Sequence, residues 1–233
     1  MVEFIPAQEL KSKFHVFGHF YSVQVVPKRV VECRSVLEIV VSDHAPKMTA
    51  AISNRKPDAV FIMMNPGSSR PLADVDSHIH ADAIHELPIS LVLTKPDTTQ
   101  YQVMRLMHYC EWRHVRVLNL SDLRCSQSGE FFKQFKGLED DLSFDAHSVF
   151  SDQRKDELAL KLTKHKAVPV IRAWGVSEAL DPLIERCTSK LTKAMIVRGL
   201  TKDEATNKYL HPLPSLQRQK VEWINQMVDR RRD

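Results

Sequence analysis

The side chains best suited to chemistry in this 233-residue chain sit just after short apolar runs. Ala59-Val60-Phe61-Ile62-Met63-Met64 leads into Asn65-Pro66-Gly67-Ser68-Ser69. An apolar run closed by Pro and Gly predicts a strand buried on both faces with a rigid polar turn at its carboxyl end. Ligands of open α/β sheets lie beyond the carboxyl ends of the strands, so this turn is the first candidate site. Pro66 fixes one backbone angle and removes a donor, and Gly67 permits a left-handed or closely approached backbone. The Asn65 carboxamide can bind a ligand there, or bond local backbone in a structural turn. Ser68, Ser69 and Arg70 offer two hydroxyls and a guanidinium to a phosphate, the plainer reading being a solvated loop. His211, between Leu210 and Pro212, is either a hydrogen-bond donor to a reacting group or a partly buried ring satisfied by backbone. Asn119 and Arg124 follow a second apolar run, where Arg124 could touch phosphate or join Asp122 in a structural network. Trp174 suits packing at least as well as stacking on a base. Asp74, Asp76, His78, His80, Asp82, His85 and Glu86 form the densest group of metal-capable side chains, against the alternative of an exposed loop.

These groups need a scaffold, and the patterning supplies one. Tyr21–Val26 and the β-branched stretch Val31–Val41 predict an antiparallel pair, with weaker signals for a strand or apolar arm before residue 20. Residues 70–96, with Pro71, Pro88 and Pro96, predict a long polar loop. Asp97-Thr98-Thr99 offers N-cap residues for a helix whose Tyr101, Met104, Leu106, Met107 and Cys110 share a face. Val115–Leu120 predicts a second buried strand, 125–150 irregular or short helical structure, and Asp152–His165 an amphipathic helix. Val168–Ala173 predicts a third strand, Val176–Lys190 a helix, Ala194–Leu200 a fourth strand and Leu216–Arg232 a closing helix. Strands alternating with helices predict a mainly parallel sheet with right-handed crossovers.

The composition sets bounds. A formal charge of +4 and a pI near 8.8 permit a nucleic-acid partner without the excess of a basic tail, and 43% apolar content is ordinary for a globular domain. The N-terminus lacks a basic region followed by an apolar core, and no apolar run reaches membrane length, so a cytoplasmic protein is expected. Cys33, Cys110, Cys125 and Cys187 form no CxxC pair and fit reduced thiols better than disulfides or a zinc site.

Four landmarks stand in order: Asn65-Pro66-Gly67, Asn119 at a strand end, Trp174-Gly175, and His211-Pro212-Leu213-Pro214-Ser215. In this they resemble the uracil-DNA glycosylase superfamily. The likeness is closer still to an uncharacterised bacterial group, domain-of-unknown-function family 1643. It rests on Met64 to Ser68, Asp97 to Thr99, Leu118 to Leu120, Ala173 to Gly175 and His211 to Leu213. The resemblance implies a three-layer α/β/α sandwich with a mainly parallel, roughly four-stranded central sheet, residues 59–233 forming the core and 1–58 a β-rich extension within one domain.

It also implies a pocket at the strand ends in which Asn65 and His211 are catalytic and Pro66, Gly67, Ser68, Ser69, Asn119, Arg124 and Trp174 bind substrate. The implied reaction is N-glycosidic hydrolysis releasing a nucleobase from nucleic acid or a nucleotide. Asn65 would hold water or the base and His211 would stabilise the departing anion, with no cofactor. Two departures bear on this. Efficient uracil-removing relatives carry an Asp in the first turn, whereas a carboxamide accepts no proton near neutral pH. Leu213 stands where a Ser is expected. The alternatives are a non-catalytic nucleotide or nucleic-acid binding module and a metal-dependent hydrolase centred on the His78–His85 loop.

Overall fold

A computed structural model describes residues 2–44, 49–162, 168–192, 195–203 and 207–230. A short helix, α1 (Ala7–Lys13), runs directly into two long strands, β1 (Phe14–Val26) and β2 (Arg29–Val41), and α2 (Ala50–Ser53) precedes β3 (Ala59–Met63). Next come β4 (Arg70–Pro71), β5 (His78–His80), β6 (Val92–Lys95), α3 (Thr98–Cys110), β7 (His114–Asn119) and α4 (Ser128–Asp140). The chain continues with α5 (Lys155–Lys161), β8 (Val170–Arg172), α6 (Asp181–Lys190) and β9 (Val197–Arg198). A small hairpin of β10 (Thr201–Asp203) and β11 (Lys208–Tyr209) leads to α7 (Gln217–Asp229).

The fold is α/β, and its main sheet is mixed, with nine strands in the order β4-β6-β1-β2-β7-β3-β8-β9 and β5 paired to β1. β3 lies between β7 and β8, parallel to both, and β9 extends the parallel run. β2 joins β7 antiparallel, so the β1–β2 hairpin continues the same sheet. Every residue of β3 is buried, and its alternation feeds two apolar clusters. Val60 and Ile62 pack with α4 and α6 through Phe131, Phe135, Leu183 and Ile184. Phe61 and Met63 pack with α3 and α7 through Val103, Met107, Trp223 and Ile224. Burying each large side chain of this strand contributes about 1.5–3 kcal/mol, which explains why the run is apolar on both faces.

Several sequence expectations need correction. Residues 70–96 are not one loop, because β4, β5 and β6 pair in turn with β6 and β1. These pairings span dozens of residues, beyond the reach of local patterning. The early arm is α1 followed by a thirteen-residue β1, and 128–140 is a full helix. The sheet is wider than the four strands expected, since the hairpin and its partners join it edge to edge. The helix expected over 152–165 is a 3₁₀ turn, Asp152–Arg154, followed by α5, with His165 outside the described residues. The fourth strand is reduced to β9, Ala194 lying outside the described residues, and Arg231 and Arg232 likewise fall beyond the described end of the last helix. Cys33, Cys125 and Cys187 form no disulfide. Among the described residues, no helix is long and apolar enough to cross a membrane.

Between the hairpin and α5 lies a buried charged network. Arg154 donates to Asp122 Oδ2 at 2.6 Å, and its Nε and Nη2 take both Glu157 oxygens at 2.8 and 3.0 Å. Tyr21 Oη donates to Asp122 Oδ2 at 2.8 Å. Lys161 pairs with Glu157 and donates to Ser35 Oγ at 3.0 Å, and Ser35 in turn bonds His19 Nδ1 at 2.8 Å. Burial, reinforced by the Lys161 charge, lowers the His19 imidazole to about 3, so the ring is neutral when folded. The unfolded chain, with His19 near 6.5, therefore takes up its proton first as pH falls. His19 then costs stability from about pH 6.5 downward, by up to about 1.4 kcal/mol per pH unit. Urea unfolding across that range is expected to show a flatter pH slope for His19→Asn than for wild type. Parallel slopes would contradict a neutral buried ring.

Candidate functional site

The chain from β3 turns at Asn65-Pro66-Gly67 against the start of α3, and a cavity of about 200 Å³ opens there. Asn65, Pro66 and Gly67 line it with Asp97, Thr99 and Gln100, while Arg34 comes from β2, His211 from the segment before α7, Cys125 and Ser126 from the approach to α4, and Ser128 from its first residue. Met63, Met64 and Val117 add apolar wall. Larger clefts of about 630 and 830 Å³ lie near the N-terminal segment and near β9. The small cavity is distinguished by its position at a strand end and by the polar groups converging on it, which identify sites better than volume does.

Asn65 is fixed by its own amide. Nδ2 donates to the carbonyls of Leu123 (3.2 Å) and Cys125 (2.6 Å), which only an NH₂ can do, so the side chain is clamped and Oδ1 is left as an acceptor. Gly67 holds a φ of 63°, a left-handed value that glycine takes without strain. A Cβ at this position would sit 3.7 Å from Asp97 Oδ2, so the turn and the carboxylate face one another closely.

Asp97 caps α3 through a capping box: Oδ1 accepts from Gln100 N at 2.9 Å, and Gln100 Oε1 accepts from Asp97 N at 3.4 Å. Oδ2 is left over from that box. Burial raises the carboxyl above the ordinary range, held back by the Gln100 and Thr99 backbone N–H groups and by the Arg34 charge. A carboxylate raised in this way is a better proton acceptor than a solvated one.

His211 Nδ1 accepts from Leu213 N at 3.2 Å, so the neutral ring carries its proton on Nε2. Burial lowers the ring to about 4, which keeps it an uncharged donor at neutral pH. The segment that carries it is pinned from three sides. Tyr209 O accepts from Gly175 N at 2.9 Å, Leu210 N donates to Leu200 O at 2.7 Å, and Trp223 Nε1 donates to Leu210 O at 3.3 Å.

Of the residues expected to bind substrate, Pro66 and Gly67 join Asn65 and His211 at the cavity. Ser68 is exposed on the turn, and Ser69 is fully buried with its carbonyl accepting from Arg124 Nε at 3.1 Å; neither lines the cavity. Arg124 also lies over the Phe20 ring and within 3.5 Å of Glu32, away from the lining. Asn119 lies behind the wall. In the amide orientation that satisfies both ends, it donates to Asn65 O at 3.2 Å and accepts from Arg34 Nη2 at 3.1 Å. Trp174 is a core residue, fully buried, its Nε1 donating to Asn207 O at 3.0 Å and its ring edge-on to Tyr209. With Gly175 it steadies the strand that leads to His211.

Two other constellations carry side chains suited to chemistry. Ser121 Oγ lies 2.9 Å from His147 Nδ1, and His147 Nε2 lies 2.8 Å from Glu139, the outline of a nucleophile triad. Ser121 and His147 are fully buried and Glu139 also takes both Arg186 nitrogens, so no substrate reaches the hydroxyl. His78 and His80 project from β5 with rings 5.8 Å apart, and His78 Nδ1 bonds Ser22 Oγ. Among the described residues no three metal-capable side chains converge.

In the sequence Arg34, Ser126 and Ser128 carry no mark, and Asp97 reads as a helix cap within the Asp97 to Thr99 motif. The available signals were an arginine within the β-branched stretch Val31–Val41, and a capping Asp that follows Pro96. Comparison with protein-family models, with curated proteins and with solved structures returned no match.

Proposed function

We propose that the cavity receives a nucleobase and that the chain hydrolyses an N-glycosidic bond in a nucleotide or nucleic acid. The observation that carries this is the convergence of a carboxylate, Asp97, on the same small cavity as Asn65 and His211. The first turn lacks an acid, and Asp97 supplies one from across the Gly67 backbone. Drug-sized sites begin at about 300 Å³, so a cavity of about 200 Å³ suits a single heterocycle. In this reading Asp97 accepts the proton of an attacking water, Asn65 Oδ1 orients that water or a base N–H, and His211 Nε2–H donates to the oxygen of the departing base.

The parallel run β7-β3-β8-β9, with apolar clusters on both of its faces, supports a uracil-DNA glycosylase-like three-layer sandwich as the scaffold. A binding module that does not cleave is the second reading, favoured by the structural duty of the same groups: Asp97 Oδ1 caps a helix and Asn65 Nδ2 clamps a loop.

Abasic-site formation on single- and double-stranded oligonucleotides carrying uracil, mismatched or modified bases separates the two. Turnover by wild type that falls at least about tenfold in Asn65→Ala and His211→Ala is expected, each variant losing hydrogen bonds to the reacting groups. No abasic sites on any oligonucleotide and no free base released from nucleotides, alongside nucleotide binding that Asn65→Ala weakens, would instead identify the binding module.

A further inference from the structure

The hydrolytic reading leaves unused the one cationic side chain among the described residues of the cavity lining. Arg34 is only 2% exposed, yet its Nε and Nη1 have no hydrogen-bond partner, Nη2 alone being taken by Asn119. No carboxylate closes an ion pair with it among the described residues. Asp97 and Asp122 act on it only as nearby charges, with Arg124 opposing. A buried guanidinium with two idle donors calls for an acceptor that the protein itself does not supply. Planar, forked and always charged, it matches an oxyanion better than a neutral carbonyl.

A second feature of the same cavity points the same way. α4 runs for thirteen residues from Ser128, and its N-cap residue, Gln127, makes no side-chain cap. The first-turn N–H groups therefore lack a capping acceptor, and the exposed Ser126 and Ser128 stand beside them on the cavity wall. Glu130, the acid of that turn, is engaged with Lys133 at 3.1 Å. A long helix with an uncapped start favours an anion at that end. Arg34, Ser126 and Ser128 thus bring donors to the same cavity that Asn65 and Asp97 line with acceptors.

We propose that these donors form a phosphate subsite, with Arg34 buried in the cavity wall and the start of α4 with Ser126 and Ser128 exposed beside it, so that the ligand is a phosphorylated nucleoside rather than a free base or nucleoside. The inference rests on the nucleobase reading of the cavity and adds the charged half of the ligand.

Thermal unfolding and calorimetric titration with inorganic phosphate, uridine and adenosine, and their 5′-monophosphates test it. Each monophosphate is expected to bind at least about tenfold more tightly than its nucleoside, from charge-assisted hydrogen bonds, and phosphate alone is expected to raise Tm. Ser128→Asp puts a carboxylate where a helix start tolerates it well, so this variant should fold, yet it is expected to lose the phosphate shift and the monophosphate preference. Arg34→Met is expected to lose both as well. No shift with phosphate or monophosphates in wild type, equal affinity for nucleoside and monophosphate, or a preference that survives in both variants would overturn the subsite. Monophosphate preference with neither abasic sites in oligonucleotides nor free base released from the monophosphates would sink the hydrolytic reading and leave this one standing; abasic sites with equal affinities would do the reverse.

Discussion

Asp97→Asn is expected to slow base release by roughly 10²- to 10⁴-fold, the usual contribution of a positioned general base. Asparagine caps helices about as well as aspartate, so it can still accept from Gln100 N, and α3 should form as before. What disappears is the proton-accepting capacity of Oδ2, which faces Gly67 across the mouth of the cavity. The pH profile carries the sharper signature. Burial holds the Asp97 carboxyl above its ordinary 3.8, so the wild-type rate should climb with pH through an ionisation above that value. The Asp97→Asn variant should lack that limb. Stability runs the other way: a raised carboxyl favours the folded state while protonated, and that contribution is lost as pH rises through the folded value. At neutral pH the variant should therefore lose little stability or none. Single-turnover abasic-site assays across pH, paired with urea unfolding, check both halves. A variant within a few fold of wild type would reduce Asp97 to a helix cap and leave the water to Asn65 alone.

The parts of the site that could be read in the sequence are those whose signal is local. A strand buried on both faces must be apolar throughout, and the turn that ends it must be polar and sterically special, so Asn65, Pro66 and Gly67 announce themselves. His211 is marked by the prolines that follow it, Pro212 and Pro214. The parts that could not be read depend on pairing across the sheet. Arg34 reaches the cavity because β2 joins β7 next to β3, and nothing in the stretch Glu32-Cys33-Arg34-Ser35 says which strand will lie beside it. β5 and β6 were hidden for the same reason, since a strand of three or four residues is defined by its partner, here β1. Trp174 shows the opposite error. It ends a strand at the right edge of the sheet, but its indole turns into the core and finds Asn207, so it serves the site only by bracing the segment before His211. Asp97 was ambiguous for a chemical reason: a carboxylate has two oxygens, and the cap pattern accounts for one of them.

The largest stability effect is expected where the charged network meets the site. Arg154→Met leaves Asp122 fully buried with Tyr21 Oη as its remaining partner, and breaking a buried pair from one side costs about 3–5 kcal/mol. Against a total stability of about 5–15 kcal/mol, that is enough to populate unfolded chain. Asp122 Oδ1 already has no partner, and burial already raises the carboxyl, with Arg154 the main force opposing it. Removing Arg154 should raise it further. The sign of the pH dependence then follows: a carboxyl raised in the folded state stabilises it when protonated, so the deficit of Arg154→Met should be larger near pH 7 than near pH 5. Adding Asp122→Asn should recover part of the loss, because the pair is then replaced rather than broken. The consequences extend to the cavity, since Asp122 O accepts from Arg34 N at 2.8 Å and the next carbonyl, Leu123 O, holds the Asn65 amide at 3.2 Å. Urea unfolding of the single and double variants at the two pH values decides it. A loss no greater than about 1 kcal/mol would be that of a surface pair, and would mean that Asp122 and Arg154 reach water.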